Sequence, residues 1–552
     1  MSRLPASSAF AAVAFAALIG ATSCAGHRSH PASNDIQTRV AGPPPAGVAR
    51  DVWADVRTFY ATREHAPAWI GESSPSKKAK EAWRVISLAG EHGLVAGDYE
   101  EAQIARRLAE LSGSDARDKA TRVKELAELE VRVTTSLLAL GRDVALGRTT
   151  PASIDRRWKA RRTAPDFARS LNRAADGNLA GWLDAIRPTH PEYAALQRAL
   201  VELKGVKQRG GWPKVPAGVF KKGVSHRSVI TLRQRLAATG ELAAARPAGS
   251  RKARSGDQSA PSAAYDSQVE AAVRAFQEHH ALKATGLADA ATLAAMNVGV
   301  DERLRQIAIN LDRWRWMPDD FGDRHLIVNI PYFHVVAREH GNAVSDIRVV
   351  VGKPGNETPV FSSTMDSVVF SPYWNIPDTI VSGETAPAVA RDENYLARNN
   401  IEVLRVSNGS AERVDPSTID WDKPEAIERL AFRQRPGARN ALGHVKFLFP
   451  NPYNVYLHDT PADNLFSRLG RAFSHGCVRV EEPEALAKYV LRGQTDWDEP
   501  RIRTAMNAGV EKLVKLREPI PVHIVYFTAW VDEAGGIHFQ PDVYGYDKKQ
   551  NL

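Results

Sequence analysis

The sequence predicts a multidomain α+β protein: a helical scaffold, a small helical module and a β-rich domain that a long insertion interrupts. Three observations lead there. The chain has 552 residues, against roughly 100–200 for one domain. Apolar residues recur at three- and four-residue steps in the first half, as on one helix face, and from Leu326 they alternate, as on strands. Between alternating segments, residues 377–442 keep no clear strand period, and an insertion of that length is typically functional. Hydrophobic residues make up 43% and charged residues 25%, which argues against general disorder and a multi-spanning membrane protein. The net charge of +9 is small for this length and reads as a solubilising surface. No nucleic-acid partner is expected, while an anionic wall polymer or lipid headgroup stays compatible.

Residues 1–24 read as a signal peptide: Arg3, an apolar run from Phe10 to Ile19 too short to span a bilayer, then Ala21, Thr22 and Ser23. Cys24 stands where a lipoprotein is acylated, although such signals usually carry Leu where this one has Ala21. A free exported form and a form anchored to a membrane through Cys24 both fit. Residues 25–47, with Pro43-Pro44-Pro45 and scattered Ser, Gly and Ala, read as a tether. Residues 48–220 read as the helical scaffold. Its clearest stripe is Leu126, Leu129, Val133, Leu137, Leu140 and Val144, ended by Gly147 and Pro151. The nearby Arg156, Arg157, Lys159, Arg161 and Arg162 are expected on a solvated face.

Residues 225–298 form a second unit around a low-complexity loop at 245–263. Val229, Leu232 and Leu236 give one helix face, Val269, Val273 and Phe276 another, and Asp289 is placed to cap the helix carrying Leu293 and Met296. The stretch AVRAFQEHHALKATGLADAATLAAMN resembles the three-helix peptidoglycan-binding module found beside many cell-wall enzymes. Residues 299–545 form the β-rich domain, entered by a helix near Leu304–Trp316. Its strands carry Leu326, Val328 and Ile330, then Ile347, Val349 and Val351, then Val445, Phe447 and Phe449. A C-terminal hairpin is expected from Val522 through Val531, turning at Ala534-Gly535-Gly536 and returning through Ile537 and Phe539. Val455 and Leu457 alternate with Tyr456 and His458, so the latter two leave the core face together.

An exported chain processed near Cys24 keeps one thiol able to react, Cys477, and it lies in LHDTPADNLFSRLGRAFSHGCVRV with His458 and His475. A cysteine attacks as thiolate, and an imidazole lowers a thiol pKa from roughly 8.5. His458, at a strand end, is the candidate base. Gly476 permits a tight backbone beside the nucleophile, where peptide N–H groups face an oxyanion. A zinc site from Cys477, His458 and His475 lacks a fourth ligand at suitable spacing. An inert core cysteine needs no flanking Ser-His-Gly, and a papain-like site places its His far downstream of the Cys.

His458 followed by Ser474, His475, Gly476, Cys477, Val478 and Arg479 resembles the motif of L,D-transpeptidases. The likeness extends through RQRPGARNALGHVKFLFPNPYNVYLHDTP and SPYWNIP, and the order of scaffold, module and interrupted domain is similar to the large periplasmic branch of that family. The resemblance implies an L,D-transpeptidase-type catalytic domain with a lid insertion at 377–442. It implies a cysteine acyltransferase acting on peptidoglycan stem peptides, with a tetrapeptide donor and a diaminopimelate amine as acceptor. Cys477 would be the nucleophile and His458 the general base, with the Asp459 carbonyl orienting the ring. Gly476 and Cys477 would supply oxyanion donors, with Ser474, His475 and Arg479 shaping the site and Tyr456 and Trp374 contacting substrate. No metal or other cofactor is implied. Glycan strands are a further partner through the module, the location is the periplasm or cell envelope, and carbapenems are expected inhibitors. A hydrolase on the same site, an L,D-carboxypeptidase or a wall-protein-releasing enzyme, and a catalytically silent wall-binding scaffold are the competing readings.

Overall fold

A computed structural model of the chain describes residues 30–113, 118–159, 162–242, 262–407, 410–421, 423–550 and 552. The expected signal peptide with Cys24, Arg161, and nearly all of the loop at 245–263 lie outside the described residues.

The long helix Lys119–Leu146 organises the scaffold. The Asp118 carboxylate accepts from the N–H groups of Ala120 and Thr121 at its start, and the stripe from Leu126 to Val144 is buried. The expected tether is corrected: Ser33–Ala41 is a helix, with Ile36 and Val40 one turn apart and buried in the scaffold core. Two apolar residues were too few to register as a period. The solvated basic face holds for Arg156 and Lys159, which are exposed, and is corrected for Arg157 and Arg162. Arg162 is almost enclosed and donates to the carbonyls of Ala145, Ile186 and Arg187, while Arg157 pairs with Asp155 and, across to the β-rich domain, with Glu357 at 3.6 Å. These cations bind elements together. Buried Asp312, on the helix Val300–Trp314, accepts from the N–H groups of Arg148 and Thr149 and fastens the scaffold to the β-rich domain.

The module folds around its own core, with helices Arg227–Ala238, Ser267–His279 and Ala290–Met296. The Asp289 carboxylate caps the third by accepting from Thr292 N–H at 2.9 Å.

The strands of the third region are, in chain order, β1 (Arg324–Asn329), β2 (His334–Glu339), β3 (Asn342–Gly352), β4 (Phe361–Phe370), β5 (Trp374–Ile376), β6 (Ile401–Ser407), β7 (Ser410–Val414), β8 (Leu430–Gln434), β9 (Val445–Leu448), β10 (Leu457–His458), β11 (Ala472–Ser474), β12 (Val478–Val480), β13 (Lys512–Val525), β14 (Ala529–Val531) and β15 (Ile537–Phe539). Nine of them form a mixed sheet in the order β11-β3-β12-β10-β9-β4-β13-β1-β2, and β2 pairs back onto β3. The sheet therefore closes on itself around an apolar interior. Every alternating residue named above for β1, β3 and β9 is buried there.

One expectation about this region changes. The hairpin does not run from Val522: β13 ends at Val525 in the main sheet, and only β14 and β15 pair as a hairpin. The insertion is a folded unit, with a four-stranded sheet ordered β5-β8-β6-β7 and a core that includes Val381, Val389, Val403 and Phe432. Its strands are short and interleaved with short helices, so no single segment displays the period of two.

Candidate active site

Strands β10 and β12 run parallel, with Leu457 beside Val478 and His458 beside Arg479. Leu457 and Val478 point into the core. Successive strand residues face opposite sides, so Tyr456, His458, Cys477 and Arg479 share the other face, with Cys477 diagonal to His458. The Tyr456 and His458 rings meet edge to face at 5.7 Å.

The turn carrying the thiol is held at three points. Gly476 has φ +119°, which a residue with a Cβ rarely adopts. Ser474 Oγ donates to the Cys477 carbonyl at 2.5 Å and accepts from Gly476 N–H at 3.1 Å. Thr358 Oγ1 donates to the Gly476 carbonyl at 2.8 Å and accepts from Gly352 N–H. The Gly476 N–H is thus engaged and is withdrawn as an oxyanion donor. Cys477 N–H has no hydrogen-bond partner among the described residues and is the donor this turn offers.

His458 Nδ1 lies 2.5 Å from the Asp459 carbonyl. A carbonyl only accepts, so Nδ1 carries the proton and Nε2 keeps its lone pair. The Asp459 carboxylate is tied by the N–H groups of His444 and Thr460. Gly443, at φ +58°, leaves room for it where a Cβ would collide with Oδ2.

Burial, with the Arg479 charge beside it, pushes the His458 imidazole down to about 3, so it is a neutral base at working pH. Burial pushes the Cys477 thiol up, partly offset by hydrogen bonds from Tyr456 and by the Arg479 charge. The expected imidazole-stabilised thiolate is therefore corrected: the resting pair is a neutral thiol and a neutral imidazole, because burial disfavours both ions. It follows that modification of Cys477 by a small electrophile, followed by intact mass against pH, should show no acid limb near 6.5. Its rate should stay level from about pH 5 to 8 and rise only as the thiol titrates at higher pH. An acid limb centred near 6.5 would refute the buried neutral base.

Arg479 is half-buried, its Nε is enclosed without a partner, and it makes no ion pair among the described residues. His475 points elsewhere: its Nε2 lies 2.8 Å from Glu384 Oε1 of the insertion. Trp374 packs half-buried against the insertion's core. Sequence reasoning missed Thr358 and Glu384. Thr358 lies 118 residues from Gly476 in a loop without a motif, and Glu384 lies in the insertion; only folding brings either to the site.

Residues 323–503 match the family described as "L,D-transpeptidase catalytic domain", residues 225–296 the "Putative peptidoglycan binding domain" and residues 54–200 the "Scaffold domain". Residues 323–503 thus match an L,D-transpeptidase catalytic domain. A protein of Haemophilus influenzae described as "Putative L,D-transpeptidase" is 36% identical over 249 residues, which is 45% of this chain and 49% of that protein. The chain spans about half the length of that curated relative. Among solved structures, an L,D-transpeptidase from Mycobacterium smegmatis is 12% identical, with 37% of this chain and 58% of that chain covered and a TM-score of 0.19. One from Xylanimonas cellulosilytica is 13% identical, with 57% and 98% covered and a TM-score of 0.17. The matched residues 323–503 run from β1 through β12 and include the insertion and the motif from His458 to Arg479.

Proposed function

We propose that the protein is an envelope L,D-transpeptidase that joins the third residues of two peptidoglycan stem peptides through a thioester on Cys477. The observation that carries this reading is the placement of Cys477 diagonally beside His458 on one strand face, with Nδ1 committed to the Asp459 carbonyl. Cys477 Sγ attacks the carbonyl of the third residue as its proton passes to His458 Nε2. The carbonyl oxygen gains the charge beside Cys477 N–H. The imidazolium returns the proton to the departing D-Ala nitrogen, leaving the thioester. An acceptor amine then attacks the thioester, His458 takes its proton, and the thiolate leaves and is reprotonated.

Arg479 gives this site a cation with no carboxylate of its own, which suits a donor stem ending in D-Ala carboxylate. Arg479→Gln should raise KM for the tetrapeptide about tenfold or more with a smaller change in kcat, measured by D-Ala release. An unchanged KM would remove Arg479 from binding.

The insertion is proposed as a lid, held at the motif by Glu384 and His475. Closure over the thioester excludes water in favour of the amine. Replacing residues 377–442 by a short Gly/Ser linker should lower the ratio of cross-linked dimer to hydrolysed tripeptide, with the thiol still open to small electrophiles. A folded variant with the wild-type ratio would refute the lid. The primary test incubates the protein with purified tetrapeptide muropeptides and identifies products by mass. A dimer linked between third residues is expected, and tripeptide alone would assign the hydrolase.

A further inference from the structure

The module and the catalytic domain meet at a cluster that no part of the acyl-transfer chemistry uses. His279, the last residue of the helix Ser267–His279, faces Asp532 and His538 of the β14–β15 hairpin region. One ligand atom from each of the three lies within 4.8 Å of the others. Asp532 Oδ2 is 2.8 Å from His538 Nε2 and 3.7 Å from His279 Nε2. A tetrahedral zinc with bonds of roughly 2.0–2.1 Å separates its ligands by about 3.3 Å, so these two edges straddle the spacing required.

The surroundings are built in the same sense. The side chain of Glu241 is 3% exposed and its Oε1 lies 3.5 Å from His279 Nδ1, a carboxylate behind the imidazole on the side away from Asp532. Trp530 stacks on the His538 ring at 4.9 Å and Tyr332 meets it edge-on, which limits its rotation. Gly536 supplies no side chain where His279 enters, and a Cβ there would come within 2.6 Å of Nε2. The charged side chains acting on His279 are Glu241, Asp532 and Glu278, all acidic.

We propose that His279, Asp532 and His538 form a divalent-metal site of the zinc class that staples the peptidoglycan-binding module to the catalytic domain. Two imidazoles and one carboxylate suit zinc, with water in the fourth position. The staple lies beside a small aromatic contact, His280 against Phe539 with the Arg303 guanidinium over the same ring, and it fixes the module's orientation on the hairpin.

The test uses the full chain with Cys477→Ala, so that the active-site thiol does not compete for the metal. Zn²⁺ titrated into metal-free protein by calorimetry should bind with one-to-one stoichiometry and raise the melting temperature. Co²⁺ should give the visible absorption of a tetrahedral site. His279→Ala and His538→Ala should each lose stoichiometric binding, and Asp532→Asn should weaken it tenfold or more. His279→Gln, which keeps a polar side chain, provides a second variant should His279→Ala unfold. The proposal is overturned if Zn²⁺ does not bind, or if it binds equally to the folded His279 variants. It is equally overturned if stability depends on pH through His279 while zinc has no effect, because the cluster is then a proton-bridged ion pair.

Discussion

Cys477→Ala will give no cross-linked dimer, no tripeptide and no covalent carbapenem adduct, while the protein stays folded. The sequence holds two cysteines, and only Cys477 lies in the catalytic domain. No other group on the Tyr456, His458 and Arg479 face is a nucleophile at neutral pH, since burial raises the Tyr456 phenol well above its ordinary value. Loss is therefore expected to be complete within detection. The fold should survive because the thiol carries little of it: Cys477 is only partly buried, and Sγ makes a long contact of 3.7 Å to the Asn454 carbonyl besides its hydrogen bonds from Tyr456. The turn is held instead by Ser474, Gly476 and Thr358, none of which changes. Intact mass after carbapenem treatment should show one adduct on wild type and none on the variant, at closely similar melting temperatures. An equal adduct on Cys477→Ala would move the nucleophile elsewhere.

How far the sequence reaches depends on whether a feature is local. The alternation of Val455 and Leu457 with Tyr456 and His458 is a two-residue matter, and the structure places the first pair in the core and the second on the opposite face. The Asp289 cap and the stripe of Lys119–Leu146 are local in the same way. Sheet closure is not, because the pairing of β2 with β3 and of β13 between β1 and β4 leaves no trace in the period of any one strand. The insertion's own sheet is hidden for a related reason: β5 and β8 lie far apart in sequence, and Ile376 and Phe432 become a core only once paired. Electrostatics at the site were the least legible. Residue types suggest a thiol whose pKa the imidazole lowers, and burial, which no motif records, favours the neutral form of both groups.

That neutral pair makes His458→Gln the second large loss, and one with a signature. Gln is neutral, fits a buried polar position and retains an N–H for the Asp459 carbonyl, but it has no basic lone pair to take the thiol proton. Removal of a positioned base costs typically 10²–10⁴-fold, and a decrease of at least 10² in D-Ala release is expected near pH 7. The deficit should shrink as pH rises toward the thiol's own titration, because solvent hydroxide then supplies the thiolate that His458 supplies in wild type. The wild-type rate stays level over the neutral range while that of His458→Gln climbs with pH, and alkylation of Cys477 by a small electrophile at high pH remains nearly equal in both. A merely structural role for His458 would lower both reactions together at every pH and reduce the melting temperature. A deficit that does not change with pH would show that His458 is not the group receiving the proton.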